Sequence, residues 1–336
     1  MADVCWPPTD EAALRTLEQF GADAARYREA ERAGAGLELG RIAAQSRRGY
    51  RLLTDRGEFH AEVTGRFRHG TRCAADFPAV GDFVLASVQR AASRAAIHGL
   101  LERRSSFERT VTAGGGSRQQ IVAANIDVVF ICMSLNANFN PSRLERYLSV
   151  GWRSGARPVV VLTKADLPGE TATMAETARG LAGGADVLLT TVADLGSCRR
   201  LLPYVPCGAT AAFIGSSGVG KSTLINCLLG EERQATAAVR EGDDKGRHTT
   251  SMREMFAVPG GGAVIDTPGM RELGTDEADL ASSFADIEEL ALDCRFSDCL
   301  HETEPGCAVK AAVEAGQLEE RRLESYRKLR RESRGR

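Results

Sequence analysis

The sequence has no stretch approaching the roughly 18 uncharged apolar residues of a membrane-spanning helix. Its opening, MADVCWPPTDEAALRTLEQF, lacks the basic start and apolar middle of a secretory leader. Net charge of one sign is also missing. The 43 Lys and Arg against 45 Asp and Glu leave −2, which argues against indiscriminate coating of nucleic acid. Most of the nine cysteines lie singly on apolar patterns, as at Cys132, Cys198 and Cys227, where a small buried thiol is the ordinary reading rather than a disulfide framework. These absences predict a cytoplasmic protein without a membrane partner.

What is present is ordinary in bulk and uneven in detail. At 336 residues the chain exceeds the roughly 100–200 of one domain, so two or three units are expected, each able to bury a core. Residues 1–36 carry four Arg against seven acids, residues 37–112 thirteen Arg against eight, and residues 317–336 eight Lys and Arg against four. Either end of the protein could meet phosphates while the middle could not.

The first 36 residues carry a helical pattern (Leu14, Leu17, Phe20) and run into the break AGAG. From Leu37 to Thr112 short alternating runs follow: LELGRIAAQ, YRLLTD, EFHAEVTGRF, VGDFVLASV and HGLLERRSSFERT. Five short strands in this span predict a small closed barrel, of which the OB-fold is the commonest at this size. Arg47, Arg48, Arg51, Arg66 and Arg68 lie near Tyr50, Phe59 and Phe67. Either these grip RNA, or the aromatics fill the barrel and the arginines are solvated. After the linker-like GGGSRQQ, the continuous apolar runs IDVVFICMSL, RPVVVLTKADL, DVLLTT, TAAFI and AVID alternate with helical segments. That rhythm predicts a mainly parallel sheet covered on both faces.

GSSGVGKS, Gly215 to Ser222, fits G-x-x-x-x-G-K-[ST] after a strand and before a helix, the context a phosphate-binding loop requires. Gly215, Gly218 and Gly220 let the backbone wrap closely, so that N–H groups of Ser216, Ser217 and Val219 can face oxygens at a helix N-terminus. Lys221 would reach the β and γ phosphates, Ser222 would ligate Mg²⁺, and Thr223 is an extra phosphate contact. Downstream, VIDTPG offers Asp266 for the magnesium and Gly269 for the γ phosphate. The polar stretch between them fits a switch in which Thr249 or Thr250, with Thr250 preferred, closes on the metal.

TKAD, Thr163 to Asp166, ends a buried run. Asp166 can accept both hydrogen bonds from the N1–H and N2–H₂ edge of guanine, a donor pair that adenine lacks, and so would select GTP. Lys164 can lie along the base plane, beside Ala165, and Thr163 stands where an Asn is usual. With a second base loop near Thr190 to Val192, the elements run base reader, second base loop, phosphate loop, switch I, switch II. This is a circular permutation, tolerated when the joined ends lie close at the surface. A glutamine after D-x-x-G is also lacking. Met270 takes its place and cannot hold the attacking water, which leaves His248 as the residue to orient it.

Cys294-x₄-Cys299-x-His301-x₅-Cys307 offers three thiolates and one imidazole, the set of a closed structural zinc site. QLEERRLESYRKLRRESRGR follows, a basic helix whose arginines are read as RNA contacts.

In TKAD, GSSGVGKST, GRHTT, DTPGMRELG and the cysteine cluster the chain resembles the RsgA (YjeQ) family of small-subunit-dependent GTPases, over about residues 37–330. The resemblance implies a multidomain protein: an N-terminal OB-fold barrel, a central α/β circularly permuted P-loop GTPase domain and a small helical zinc-binding domain. It also implies binding of the 30S subunit and its 16S rRNA in late maturation, subunit-stimulated hydrolysis of GTP to GDP, and a monomer. The expected parts are an acidic helical extension (1–36), the RNA-binding barrel (37–112), the GTPase domain (113–280) and the zinc domain with its basic helix (281–336). A P-loop kinase or ATPase would leave Asp166 and D-x-x-G unexplained. An RNA-binding protein with a passive nucleotide switch is the other alternative.

Overall fold

In the computed structural model, residues 17–34, 36–46, 49–71, 73–113, 116–216, 218–230, 253–266, 284–296, 298–320, 322–324, 326–327 and 330 are described. Leu17 and Phe20 sit in a turn rather than a helix and are buried. Helix α1 (Ala24–Arg32) begins after them, where the Asp23 carboxylate accepts from the N–H groups of Ala25 and Arg26, a cap that satisfies otherwise orphaned donors.

The alternating runs form the expected closed barrel. Strands β1 (Glu38–Ser46), β2 (Gly49–Thr54), β3 (Gly57–Val63), β4 (Phe83–Gln89) and β5 (Arg94–Leu100) pair in the order β1-β2-β3-β5-β4, and β4 returns to β1. Inward-facing Ile42, Leu52, Phe59, Ala61, Val84, Ala86 and Ile97 fill it. Phe59 is therefore a core residue, so for it the barrel-filling alternative holds. Two boundaries differ from the sequence expectation. The EFHAEVTGRF run leaves the strand at Thr64, whose hydroxyl accepts from Phe67 N and starts α2 (Gly65–Gly70). The run from His98 to Thr110 is split, because Leu100 ends β5 and a separate antiparallel hairpin begins at β6 (Ser106–Ala113) and returns as β7 (Gly116–Ala124). Residues 116–120, read as linker, thus belong to a strand; this two-stranded hairpin has weak apolar alternation at its tip.

Beyond the hairpin lie β8 (Val128–Ser134), α3 (Pro141–Arg153), β9 (Arg157–Thr163), α4 (Thr171–Leu181), β10 (Asp186–Leu189), α5 (Leu195–Arg199), β11 (Thr210–Ile214), α6 (Lys221–Leu229), β12 (Arg253–Ala257) and β13 (Ala263–Asp266). The sheet order is β10-β9-β8-β11-β13-β12. All neighbours are parallel except β12 with β13. Because successive side chains of a strand point to opposite faces, the unbroken apolar runs bury both. Val129, Ile131 and Met133 pack with Leu144, Leu148, Ala175 and Ala178 on one face. Phe130 and Cys132 pack with Cys198, Leu224, Ile225 and Leu228 on the other.

Strand β12 was not expected from the sequence, yet it joins the two halves. It pairs with β13 on one side and with β1 on the other, at Ala44 with Glu254 and Gln45 with Arg253. A buried polar hub reinforces this joint. Arg41, 1% exposed, donates to the carbonyls of Gly81, Asn125 and Phe20. The Asn125 side chain accepts from Arg26 and from Arg104 N, both at 3.0 Å. These bonds satisfy backbone carbonyls that would otherwise be buried unpaired.

The last described part comprises α7 (Ala285–Ala291), the Cys/His segment and α8 (Ala308–Glu314). Its core is Phe284, Ile287, Val309, Ala312, Leu318, Leu323 and Tyr326 with Cys299 and Cys307. Arg322 anchors it, reaching Asp286 at 2.6 Å and Glu145 of α3 at 3.4 Å. Among the described residues no helix is long and apolar enough to cross a membrane.

Candidate nucleotide site and metal centre

The register of the parallel strands places the ends of β9, β10, β11 and β13 along one carboxyl edge of the sheet, where open α/β sheets bind ligands. The phosphate loop leaves β11 here. Gly215 has φ +148°, and a Cβ on it would fall 2.5 Å from the Cys132 carbonyl oxygen; the loop can run this close to β8 only without a side chain. Gly220, at φ +102°, precedes α6 and accepts from Leu224 N. Lys221 Nζ donates to the carbonyls of Gly215 and Ser216, both at 2.7 Å. Its ammonium is therefore drawn back over the loop, at the helix N-terminus where anions are favoured.

The TKAD corner, expected from the sequence to read the base, is joined to that loop by a side chain. Thr163, buried at the end of β9, donates its hydroxyl proton to the Val219 carbonyl at 2.7 Å. The proton that could have met the base instead fixes the corner against the phosphate loop. Lys164 takes φ +59°, an uncommon left-handed conformation for a side chain of this size. The turn closes through Ala165 N to Thr190 O at 3.2 Å and Thr190 N to Leu162 O at 2.8 Å. Thr191 Oγ1 donates to Asp166 Oδ1, which leaves the second carboxylate oxygen and further lone pairs for a ligand. Thr191, within the span expected to form a second base loop, thus meets Asp166. Thr191 N donates to Ser197 Oγ at 2.9 Å, and Asp194 Oδ1 accepts from Gly196 N at 2.9 Å.

Asp266 ends β13 beside β11, and Ser222 lies in the first turn of α6. A hydroxyl and a carboxylate are hard oxygen donors of the kind magnesium takes beside phosphates. Ser217, His248, Thr249, Thr250, Gly269 and Met270 lie outside the described residues, as do Arg47 and Arg48.

The Cys/His segment forms a cluster. The ligand atoms of Cys294, Cys299, His301 and Cys307 all lie within 4.8 Å of one another. Cys294 Sγ is 3.6 Å from His301 Nδ1 and 3.9 Å from Cys307 Sγ, and His301 Nδ1 is 3.4 Å from Cys307 Sγ. A tetrahedron with Zn–S near 2.3 Å and Zn–N near 2.0 Å has edges of roughly 3.5–3.8 Å. Both the spacing and the soft donors therefore fit zinc. The surrounding loop is held from two sides. The Glu304 carboxylate accepts from the N–H groups of Leu300, Glu302 and Thr303. Arg330 donates to Cys299 O at 2.9 Å and Arg327 to His301 O. Arg322, Arg327 and Arg330, read from the sequence as RNA contacts, are thus engaged within the protein. Helical periodicity locates such arginines on a face without saying which loop lies opposite.

A parallel sheet whose base-reading strand precedes its phosphate-loop strand, with both ending at one edge, defines a circularly permuted P-loop nucleotide-binding protein. The family model for the RsgA GTPase matches residues 100–276. The chain is 49% identical over 299 residues to "Small ribosomal subunit biogenesis GTPase RsgA 2" of Lactiplantibacillus plantarum, covering 88% of this chain and 84% of that one. It is 45% identical over 303 residues to "Small ribosomal subunit biogenesis GTPase RsgA" of Opitutus terrae, covering 87% and 82%. Among solved structures, YjeQ from Thermotoga maritima superposes with a TM-score of 0.62 at 24% identity, covering 89% of this chain and 99% of that one. YloQ, a circularly permuted GTPase, gives 0.59 at 25% identity, covering 90% and 96%. The chain belongs to the RsgA GTPase family.

Proposed function

We propose that this chain is a magnesium-dependent GTP hydrolase acting in biogenesis of the small ribosomal subunit, with turnover stimulated by that subunit. The observation that carries this reading is the meeting of two sequence-distant corners at one sheet edge: Asp166, held by Thr191, and the phosphate loop, tied to it through Thr163 and Val219. Asp166 selects guanine, with Lys164 and Ala165 beside the base. Gly215 to Thr223 hold the phosphates. Ser222, Asp266 and Thr250 would hold a magnesium ion, which would supply charge neutralisation to the bound phosphates. Gly269 contacts the γ phosphate and His248 orients the water. Cys294, Cys299, His301 and Cys307 hold one structural zinc. The relatives' names supply the small subunit as partner. We assign the barrel at 37–112 an OB-type role in gripping 16S rRNA, the permuted GTPase domain to 113–280 and the zinc domain to 281–336, in a cytoplasmic monomer.

Nucleotide state reaches the barrel through β12, which continues from the segment assigned to switch I and pairs with β1. Arg51 of β2 strengthens that seam, meeting Glu254 at 2.8 Å and the Met255 carbonyl at 3.3 Å. Turnover of GTP and ATP measured with and without purified 30S subunits tests the proposal. Slow GTP turnover raised by the subunit, with ATP left unused, is the expected result. Equal use of both nucleotides, or indifference to the subunit, refutes it.

A further inference from the structure

Guanine presents its N1–H and N2–H₂ donors in one plane, so a carboxylate meets both only while its two oxygens are held in that plane. Asp166 is exposed and gains no such hold from packing. What orients it is a chain of hydrogen bonds running inward from the carboxylate. Thr191 Oγ1 donates to Asp166 Oδ1 and accepts from Ala193 N at 3.1 Å. A hydroxyl carries one proton. With the Ala193 N–H on the oxygen, that proton is aimed at the carboxylate.

Thr191 lies beyond the end of β10, in a stretch where Val192, Ala193 and Asp194 are exposed, Val192 to 65%. Apolar burial therefore does little to place this stretch. Its anchor is Ser197 of α5, which is 5% exposed. Ser197 Oγ accepts from Thr191 N at 2.9 Å and lies within donating distance of two carbonyls, Thr191 O at 3.1 Å and Asp194 O at 2.6 Å. Thr191 and Asp194 face each other in an antiparallel bridge, so one buried oxygen grips both ends of the turn. Thr190 is tied separately to the strand before it, through Leu162 O at 2.8 Å and Ala165 N at 3.2 Å. The β9 corner thus fixes the residue at the strand end, and Ser197 fixes the next one, whose hydroxyl holds Asp166.

We infer that Ser197 is a positioning residue for guanine recognition: it sets the Thr191 backbone so that the Thr191 hydroxyl orients the Asp166 carboxylate. The inference rests on the reading of Asp166 as the guanine acceptor. Ser197 is buried behind Thr191 and acts through it. The consequence is unequal for two closely related bases. Guanine places two donors on Asp166, whereas hypoxanthine keeps the N1–H and lacks the N2 amine. A carboxylate that loses its orientation gives up the paired contact, so the loss falls more heavily on guanine.

To test this, affinities of the full chain for GDP and inosine diphosphate are measured by calorimetry, with a melting curve for each protein: the parent, Ser197→Ala, Thr191→Val and the double variant. The parent should prefer GDP. Ser197→Ala should weaken GDP binding by about tenfold, the scale of one net hydrogen bond, and inosine diphosphate binding by less, so that the preference narrows. Thr191→Val should narrow it likewise. The double variant should be no worse than Thr191→Val alone, because both changes act on one carboxylate through one hydroxyl, and residues in one hydrogen-bond network do not add. Ser197→Cys retains a small side chain with only a weak donor and acceptor, and is expected to narrow the preference too; it keeps the test decisive should the Ala variant not fold. A lowered melting temperature with an unchanged ratio of the two affinities, in whichever Ser197 variant folds, overturns the inference, since a role confined to folding gives that result. Additive narrowing in the double variant overturns it as well. A parent that binds both nucleotides equally overturns the guanine reading and the inference with it, whereas a parent that prefers GDP beside an unchanged Ser197→Ala overturns the inference alone.

Discussion

The nucleotide edge and the Cys/His module, each proposed to hold a charged ligand, are built by opposite means. At the nucleotide edge the side chains assigned to the ligand sit at or just beyond strand ends or at the start of α6, outside the two apolar clusters that cover the sheet. Lys221, Thr163 and Asp166 are positioned by backbone and hydrogen bonds, while the folding energy comes from elsewhere. In the Cys/His module two of the proposed ligands, Cys299 and Cys307, are themselves members of the small core with Phe284, Ile287 and Tyr326. Chemistry and folding are largely separable in the first region, where the buried Thr163–Val219 bond couples them, and inseparable in the second. A short segment that buries little apolar surface depends on its metal for order.

The largest expected effect falls on the module. Removing zinc with a chelator, or replacing Cys307 by Ser, should remove on the order of 10 kcal/mol of metal-linked folding energy. Limited proteolysis should then cut within residues 284–330 and leave the sheet intact. A module resistant to both treatments breaks the comparison.

Next comes Asp166→Asn. The amide offers one acceptor and one donor, which no longer match guanine's two donors but do match the N–H and C=O edge of xanthine. GTP affinity should fall by roughly 10⁴–10⁵-fold, the scale on which unmatched hydrogen bonds in a binding site discriminate. Thermal stability should stay within about 0.5 kcal/mol of the parent, as for a change outside the core. Calorimetry with GTP and xanthosine triphosphate reads the first, and a melting curve the second.

His248→Ala should keep GTP affinity and lose the subunit-stimulated rate by about 10²–10⁴-fold, the usual worth of a positioned general base. Single-turnover hydrolysis with 30S particles measures it, and an unchanged stimulated rate removes His248 from the mechanism.

The smallest effect sharpens the comparison most. Thr163→Val keeps the shape but leaves the Val219 carbonyl without its buried donor, costing about 1–3 kcal/mol. GTP affinity should weaken alongside stability, because the same bond joins base corner to phosphate loop. Loss of stability alone would mean that Thr163 acts only in the core.

Much of the permuted domain was legible because its signals are local. The runs that became β8, β9 and β11 are continuous and apolar. The helix beginning at Pro141 is capped by Asn140, which accepts from Arg143 N at 3.0 Å, and Gly230 in left-handed conformation closes α6. The Cys/His spacing was equally readable, since four ligands within fourteen residues can converge with little help from the rest of the fold. Less legible was β12, whose burial is confined to Met255 within five residues and whose pairing to β1 joins positions as far apart as Ala44 and Glu254. The N-terminal segment shows only a helical pattern in the sequence. Its buried Leu17 and Phe20 join the main core, and Gln19 Nε2 reaches the Gly261 carbonyl at 3.2 Å. Such partners lie hundreds of residues away and leave no periodic mark.

By itself the sequence determined which chemistry is on offer: a phosphate loop, a guanine-type carboxylate, a soft metal set, and their permuted order. Glycines, cysteines and apolar runs act within a few residues, so their meaning survives without coordinates. Only the tertiary structure decided what each hydrogen-bond donor is spent on. Thr163 turns to Val219, Arg327 and Arg330 to the metal loop, Arg41 to the barrel joint, and Cys198 to the Thr191 carbonyl. A long or single donor reaches whatever acceptor the packing brings within about 3 Å, and packing is a property of the whole chain.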